Sequence, residues 1–225
     1  HFVTAAGSLL VAPYGGVEKR LSTAPYCVGI PRQGQDPIVL DFATSVVAEG
    51  KCLVASRGGK KLPIGALVDA DGTLSEDPHV LYGPYTPDGP RDHTKGTGAI
   101  RAFGDHKGSG LAFICELLGG ALTGTGATSS DRRFANGMMA FYIDPKVIDT
   151  SNFFDGEITR YTDFIRATKP IAGTDSVLVP GDPERKTRAD RTKNGIPLPD
   201  DTWAAIVNTA REVGVSEVSI QRATS

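Results

Sequence analysis

Only three cysteines occur in the 225 residues, Cys27, Cys52 and Cys115. Their number is odd and their spacing matches no metal-ligand pattern, which argues against a disulfide framework and against a cysteine-based metal centre. Each lies among apolar neighbours, so three buried, reduced thiols are expected. Long hydrophobic runs are also missing. The best candidate, Leu111 to Leu118, is too short to cross a membrane and is interrupted by Glu116, and no secretory leader is recognisable. These absences lead to the expectation of a cytoplasmic protein with no membrane partner. An excess of one charge is lacking too: 24 Lys and Arg against 26 Asp and Glu leave a formal net charge of −2, with no electrostatic footprint for nucleic acid. There is no internal repeat. No Gly-x-Gly-x-x-Gly joins a first strand to its helix, which disfavours a standard dinucleotide-binding fold.

What is present describes an ordinary globular chain, 40% hydrophobic and 22% charged, long enough for one large domain or two small ones. Apolar patterning predicts strands at Phe2–Thr4, Tyr26–Ile30, Ala66–Asp69, Gly137–Ile143 and Ser176–Val179, with turns at Pro13-Tyr-Gly-Gly and Asp71-Gly72. Residues 82–104, rich in Gly, Pro and charge, read as a long loop. Leu111–Leu122 is apolar on nearly every side and reads as a buried central helix, followed by a Gly-rich linker from Thr123. Three more helices are expected. One runs from Asp155 to Ala167, with Ile158, Tyr161, Phe164 and Ile165 on one face. A charged helix, Glu184–Lys193, is stopped by Gly195. A last one, capped by Asp200 or Asp201, carries Trp203, Ile206, Val207, Ala210 and Val213 on its apolar face, with Trp203 assigned to the core. Strands mixed with helices give an α/β or α+β class.

Two segments carry chemistry. In Gly104-Asp-His-Lys-Gly-Ser-Gly, His106 and Lys107 stand among glycines at the start of an apolar helix. Glycines permit close backbone approach, helix starts present N–H groups and a positive dipole end, and Lys107 adds a full charge. That combination suits a phosphate or carboxylate, although a Gly-rich loop capping a core helix has the same residues. In Pro37–Lys51, Ile38–Leu40 reads as a short buried strand ending on Asp41, with Thr44 and Ser45 opening a helix through Val46, Val47 and Ala48. Open α/β sheets bind ligands beyond such strand ends. Asp41 would accept from ribose or amide groups there and the two hydroxyls would donate; the alternative is that all three only cap a helix.

Read together, Pro37–Lys51 and Gly104–Leu122 resemble the signature blocks of the type-2 malate/L-lactate dehydrogenases, a group that includes hydroxycarboxylate and ureidoglycolate dehydrogenases, diketogulonate reductase and the Δ1-piperideine-2-carboxylate reductases. Val11-Ala-Pro-Tyr-Gly-Gly, Val68-Asp-Ala-Asp-Gly-Thr with Glu76-Asp-Pro, Val179-Pro-Gly-Asp-Pro-Glu and Asn194-Gly-Ile-Pro-Leu agree in order and approximate spacing. The resemblance implies a non-Rossmann mixed α/β fold that binds NAD or NADP and transfers hydride to or from a small 2-hydroxy or 2-keto acid, in a homodimer. It implies cofactor contacts from Asp41, Phe42, Ala43 and Thr44, with Ser45 and Val46 adjoining, from His106 and Lys107, and from Gly181, Asp182, Pro183 and Glu184. The last block reads equally well as a plain turn into a helix. No metal is implied. Residues 1–180 would form the cofactor-binding core and 181–225 a helical segment packed back on it.

The same resemblance marks departures. Relatives carry a Gly-His-x-Ser-His-Gly motif whose His is the usual acid/base candidate, and no Ser-His-Gly occurs in this sequence. The chain therefore reads as the carboxyl-terminal part of such an enzyme, with no catalytic residue assigned within it. A catalytically incomplete cofactor-binding fragment, or a binding or structural protein without turnover, is the competing expectation. Ser22-Thr23-Ala24-Pro25 stands where many relatives read Gly-Thr-Asn-Pro, and a family Ser falls at Gly7.

Overall fold

A computed structural model describes residues 1–58, 61–84, 92–198 and 200–224. The chain divides into two compact units, His1–Lys169 and Pro170–Ser225. The first unit is mixed α/β and holds two four-stranded sheets.

Strands β1 (Phe2–Ala6), β3 (Tyr26–Arg32) and β4 (Gln35–Phe42) belong to one sheet with β8 (Ala135–Met139), in the order β4-β3-β1-β8, every pair antiparallel. The β3–β4 hairpin turns at Gly34, whose φ of 67° suits a tight connection. Pro37 lies in β4, at the sheet edge, where a missing N–H does no harm. Ile38–Leu40 does form a strand, but not a buried one: Val39 and Leu40 are 36% and 41% exposed. Apolar content identified the strand, and its edge position left those side chains uncovered.

The second sheet is built from very short strands: β2 (Val11–Ala12), β5 (Leu67–Val68), β6 (Leu74–Ser75) and β7 (Ala99–Arg101), ordered β2-β7-β5-β6, with β2 and β7 parallel. The Asp71-Gly72 turn closes the β5–β6 hairpin, where Gly72 N–H donates to the Asp69 carbonyl at 2.9 Å. β7 falls inside the segment expected to be a continuous loop, and pairing on both sides makes it a strand. Residues 85–91 of that segment lie outside the described residues. Val11, Leu67, Leu81 and Ile100 are fully buried and share one core with Cys52, Ala112 and Cys115. Helices α1 (Glu49–Gly58) and α2 (His79–Tyr82) contribute Cys52 and Leu81 to it. Cys27 is only half-buried, in contrast to Cys52 and Cys115, and all three are free.

The central helix begins earlier than its apolar run. α3 covers His106–Cys115 and passes into a π-helical turn, Glu116–Ala121, where Leu122 N–H donates to the Leu117 carbonyl at 2.8 Å. Gly119 lets this turn lie directly on β1: a Cβ there would meet the Phe2 carbonyl oxygen at 2.6 Å. The helix is not enclosed on all sides, since Phe113, Ile114, Leu117 and Leu122 are exposed. β8 stops at Met139, short of the expected Ile143, and Phe141, Tyr142 and Ile143 stand in solvent. Asp144 caps the following short helix α4 (Pro145–Ile148) by accepting from the Lys146 N–H. α5 (Phe153–Arg166) matches its expected span; Thr162 is its buried residue, with Ile158 and Ile165 half-buried and Tyr161 and Phe164 outside.

The second unit contains α6 (Asp182–Asn194), α7 (Asp200–Glu212) and α8 (Glu217–Thr224). Gly195, at φ 85°, ends α6 as expected. Ser176–Val179 is not a strand, because no neighbouring strand pairs with it among the described residues. On α7, Trp203, Val207 and Ala210 are half-buried while Ile206 is exposed, as is Val213 just past its end, so Trp203 is at the edge of cover and not deep in a core. The side chain of Asp201 lies outside the described residues. α8 was not expected; Glu217 in its first turn accepts from Arg211 of α7 at 2.7 Å.

Candidate functional site

Two segments far apart in sequence meet at the start of α3. Beyond β4 the chain bends at Thr44 and Val46, with a bridging residue at Ser45 between them, and the segment Gly104–Gly108 opens the helix. Phe103 N–H donates to the Thr44 carbonyl at 3.0 Å, Val46 N–H donates to the Arg101 carbonyl at 2.8 Å, and Ser45 bridges to Ala102. The Phe42 and Phe103 rings meet edge to face with centroids 5.3 Å apart. Gly108 is needed for this fit, since a Cβ would meet Phe103 O at 2.3 Å and Thr44 O at 2.8 Å. The Pro13–Gly16 turn joins from a third direction: Tyr14 N–H donates to Ser109 Oγ at 3.0 Å, and the Tyr14 ring lies 5.9 Å from that of His106. Tyr14, Gly15, Gly16, Arg101 and Asp105 line a small cleft there, about 140 Å³.

The backbone at the helix start is strained. Asp105 has φ 55° and ψ −111°, a region that favours glycine. Its side chain does not cap the helix; its Oδ1 instead accepts from Arg101 at 2.5 Å, and the other Arg101 nitrogen donates to the Gly65 carbonyl at 2.8 Å. The Lys107, Gly108 and Ser109 N–H groups already donate to Gly104, Phe103 and Asp105 carbonyls, so the first turn offers an anion fewer backbone donors than the sequence implied. The side chains of His106 and Lys107 are exposed, and the Lys107 ammonium has no partner among the described residues.

The expected site residues thus separate by what they can offer. Asp41 is exposed with an unpartnered carboxylate, and Phe42 and Ala43 are half-buried. Thr44 and Ser45 open no helix, because α1 starts only at Glu49. Their hydroxyls are buried and turned inward: Thr44 Oγ1 donates to the Thr23 and Ala24 carbonyls at 3.0 Å each, and Ser45 Oγ donates to the Val47 carbonyl at 2.7 Å. Val46 is exposed. Gly181, Asp182, Pro183 and Glu184 lie in the second unit at the start of α6. Gly181 has φ 91°, and Asp182 accepts from Val179 N–H at 2.9 Å and pairs with Arg185. Pro183 and Glu184 are exposed.

Glu116 is the buried functional group that sequence patterning passed over. It is 4% exposed. Oε1 accepts from Ser22 Oγ at 2.6 Å and Ser22 N–H at 3.1 Å; Oε2 accepts from Thr4 Oγ1 at 2.6 Å and Thr128 N–H at 2.8 Å. Burial by itself pushes the carboxyl upward, but hydrogen bonds from Ser22, Thr4 and Thr128 outweigh it and hold the group below the usual glutamate range. The available signal was an acid inside an otherwise apolar run. Lys19 was also passed over. Its ammonium donates to the Leu81, His93 and Gly96 carbonyls, and burial lowers its pKa against the opposing pull of Asp92. Burial likewise raises the Cys52 thiol to about 12 and the Cys115 thiol to about 11, which makes both poor nucleophiles. Among the described residues no group of three or more His, Cys, Asp or Glu side chains could hold a metal ion.

A family model described as malate/L-lactate dehydrogenase matches residues 1–207. Hydroxycarboxylate dehydrogenase B of Escherichia coli K12 is 34% identical over 227 residues, covering 98% of this chain and 59% of its own length. L-sulfolactate dehydrogenase of Methanothermobacter thermautotrophicus is 32% identical over 214 residues, covering 92% of this chain and 56% of its own. Among solved structures, sulfolactate dehydrogenase of Methanocaldococcus jannaschii superposes with a TM-score of 0.70 at 27% identity, over 96% of this chain and 59% of that one. A dehydrogenase of Sinorhizobium meliloti gives 0.69 at 32% identity, over 92% and 58%. The chain thus spans less than two thirds of the length of these relatives.

Proposed function

Because the chain belongs to the malate/L-lactate dehydrogenase family, we propose that it forms the nicotinamide-binding part of a 2-hydroxyacid dehydrogenase. The observation that carries this reading is the join between residues 41–46 and the start of α3. It brings an exposed carboxylate segment to a helix start that bears an imidazole and an unpartnered ammonium. That donor set fits a dinucleotide. Lys107 and His106 supply positive and hydrogen-bonding groups for phosphate or carboxamide oxygens, and Asp41 accepts from ribose hydroxyls. The half-buried Phe42 and Ala43 and the exposed Val46 offer apolar surface beside them, while Thr44 and Ser45 shape the segment through backbone groups.

The cofactor, NAD or NADP, supplies hydride transfer when bound. The part played by this chain is binding and orientation. Arg101 neutralises Asp105 at the helix start, so that no uncompensated carboxylate opposes an anion held by Lys107. The substrate in this reading is a small 2-hydroxy or 2-keto acid, as the names of the hydroxycarboxylate and L-sulfolactate dehydrogenases suggest for those relatives. A homodimer belongs to the proposal as well, supported by the exposed apolar residues Phe113, Ile114 and Leu117 on α3 and its π turn. Free thiols at all three cysteines support a reducing, cytoplasmic setting. No helix among the described residues is long and apolar enough to cross a membrane.

The test is a fluorescence titration of the protein with NADH and NADPH, followed by assay of nicotinamide reduction with malate, lactate and sulfolactate. Saturable binding of one reduced cofactor is the expected result; turnover of one such acid is expected only where a general acid/base like the His of the family motif completes the site. Absence of binding by both would reject the reading.

A further inference from the structure

Glu116 is anionic, buried and has no cationic partner among the described residues. Four donors converge on its two oxygens, and two of them are backbone N–H groups that cannot turn away. A buried charge satisfied in this way is costly to desolvate, and an apolar residue would fill the helix position more cheaply. What the carboxylate does locally is lock Ser22. The Ser22 hydroxyl donates to Glu116 and in turn accepts from Ala24 N–H at 3.2 Å and Ala5 N–H at 3.5 Å. The turn so held is itself unusual, because Ala24 is fully buried with a φ of 28°. Its carbonyl and that of Thr23 are the acceptors for Thr44 Oγ1, and Thr23 O also takes Thr44 N–H at 2.9 Å. Thr44 O in turn receives Phe103 N–H, one residue before Gly104 and the helix that carries Glu116 at its far end. The hydrogen bonds therefore form a closed circuit from the end of α3, through residues 22–24 and Thr44, back to its start.

We propose that Glu116 is a positioning residue for the cofactor segment: through Ser22 and Thr44 it sets residues 41–46 against the first turn of α3. The role rests on the nicotinamide-binding reading given above. It gives the carboxylate a task that a carboxamide would perform less well. A carboxamide of the same shape would point its NH₂ at a hydroxyl and a backbone N–H, and one of those donors would lose its acceptor.

A double-mutant cycle on cofactor binding tests the role. The Kd for the reduced cofactor that the protein binds is measured for the unsubstituted protein, Glu116→Gln, Thr44→Val and the double variant, each first shown to be folded by circular dichroism. Each single change is expected to weaken binding roughly tenfold, and the double variant to be little worse than either single one, because both break the same circuit. A merely structural role would lower the melting temperature without coupling the two changes in Kd. If Glu116→Gln does not fold, Ser22→Ala replaces it in the cycle, since Ser22 is the next link. Unchanged Kd in the Glu116 or Ser22 variant, or losses that simply add, would overturn the positioning role. Failure of the unsubstituted protein to bind either cofactor would instead overturn the reading on which the role rests.

Discussion

Phe103 donates its backbone N–H to the carbonyl oxygen of Thr44 at 3.0 Å, and this bond unites two segments that the sequence keeps almost sixty residues apart. On one side of it stands Asp41, on the other Lys107.

Lys107→Ala is expected to weaken nicotinamide-cofactor binding by about one to two orders of magnitude, as loss of a charge-assisted hydrogen bond of ~1.5–3 kcal/mol would. The ammonium is exposed and unpartnered within the chain, so the unliganded melting temperature should barely move. Fluorescence titration beside a thermal melt checks both halves. Unchanged affinity would reject the role of this lysine.

Asp41→Ala should behave in the same way. A helix-capping role would carry a stability cost of about 0.5–2 kcal/mol. The helix it would have capped begins only at Glu49, and the carboxylate is exposed. Stability within about 0.5 kcal/mol of the unsubstituted protein, together with weaker cofactor binding, is the expected pair of results.

Gly108→Ala tests the junction itself. The added methyl would lie 2.3 Å from Phe103 O and 2.8 Å from Thr44 O, both backbone atoms that cannot swing aside. A loss of roughly 1–3 kcal/mol in chemical denaturation is expected, in spite of the better helix propensity of alanine. A stabilised variant would show that the close approach is not real.

Asp105→Gly and Asp105→Ala form an informative pair. Both remove the exposed ion pair with Arg101, which is worth little. Only glycine relieves the backbone at φ 55° and ψ −111°. The glycine variant is expected to be more stable than the alanine variant by about 1 kcal/mol, the reverse of the order at an ordinary helix position. Equal melting temperatures would contradict the strain.

Glu116 makes stability depend on pH in a definite direction. Its folded-state pKa is depressed by its hydrogen bonds in spite of burial, so its contribution is fully present above the ordinary glutamate value. That contribution is lost as the pH falls through the lower folded-state value. Glu116→Gln should therefore be less stable than the unsubstituted protein at neutral pH, by on the order of 1–3 kcal/mol, with the gap narrowing below about pH 4. A gap that is constant from neutral to acid pH would show that the carboxylate is not held ionised.

Features decided by neighbours along the chain were legible in the sequence. The Asp71-Gly72 turn, the end of α6 at Gly195 and the helix start near His106 each depend on glycine conformation or on bonds spanning a few residues. The strands β1 and β3 were legible as well, because their composition favours extended backbone. The resemblance to a dehydrogenase family rested on ordered blocks of residues, and the family match bears it out.

Cover and partnership were decided only by the tertiary structure. Val39 and Leu40 have the composition of a buried strand, yet they lie at a sheet edge, and Ser176–Val179 has strand composition but no ladder to join among the described residues. A strand needs a partner that its own residues do not specify, whereas a helix closes its bonds within itself. The same difference hid the inner half of the site. Thr44 and Ser45 look like ligand donors until the Thr23, Ala24 and Val47 carbonyls take their protons. Glu116 looks like a blemish in an apolar helix, because the groups that make it tolerable stand 94 and 112 residues earlier in the chain. Local composition records which residues can form an element; burial and hydrogen-bond satisfaction depend on what folds against it.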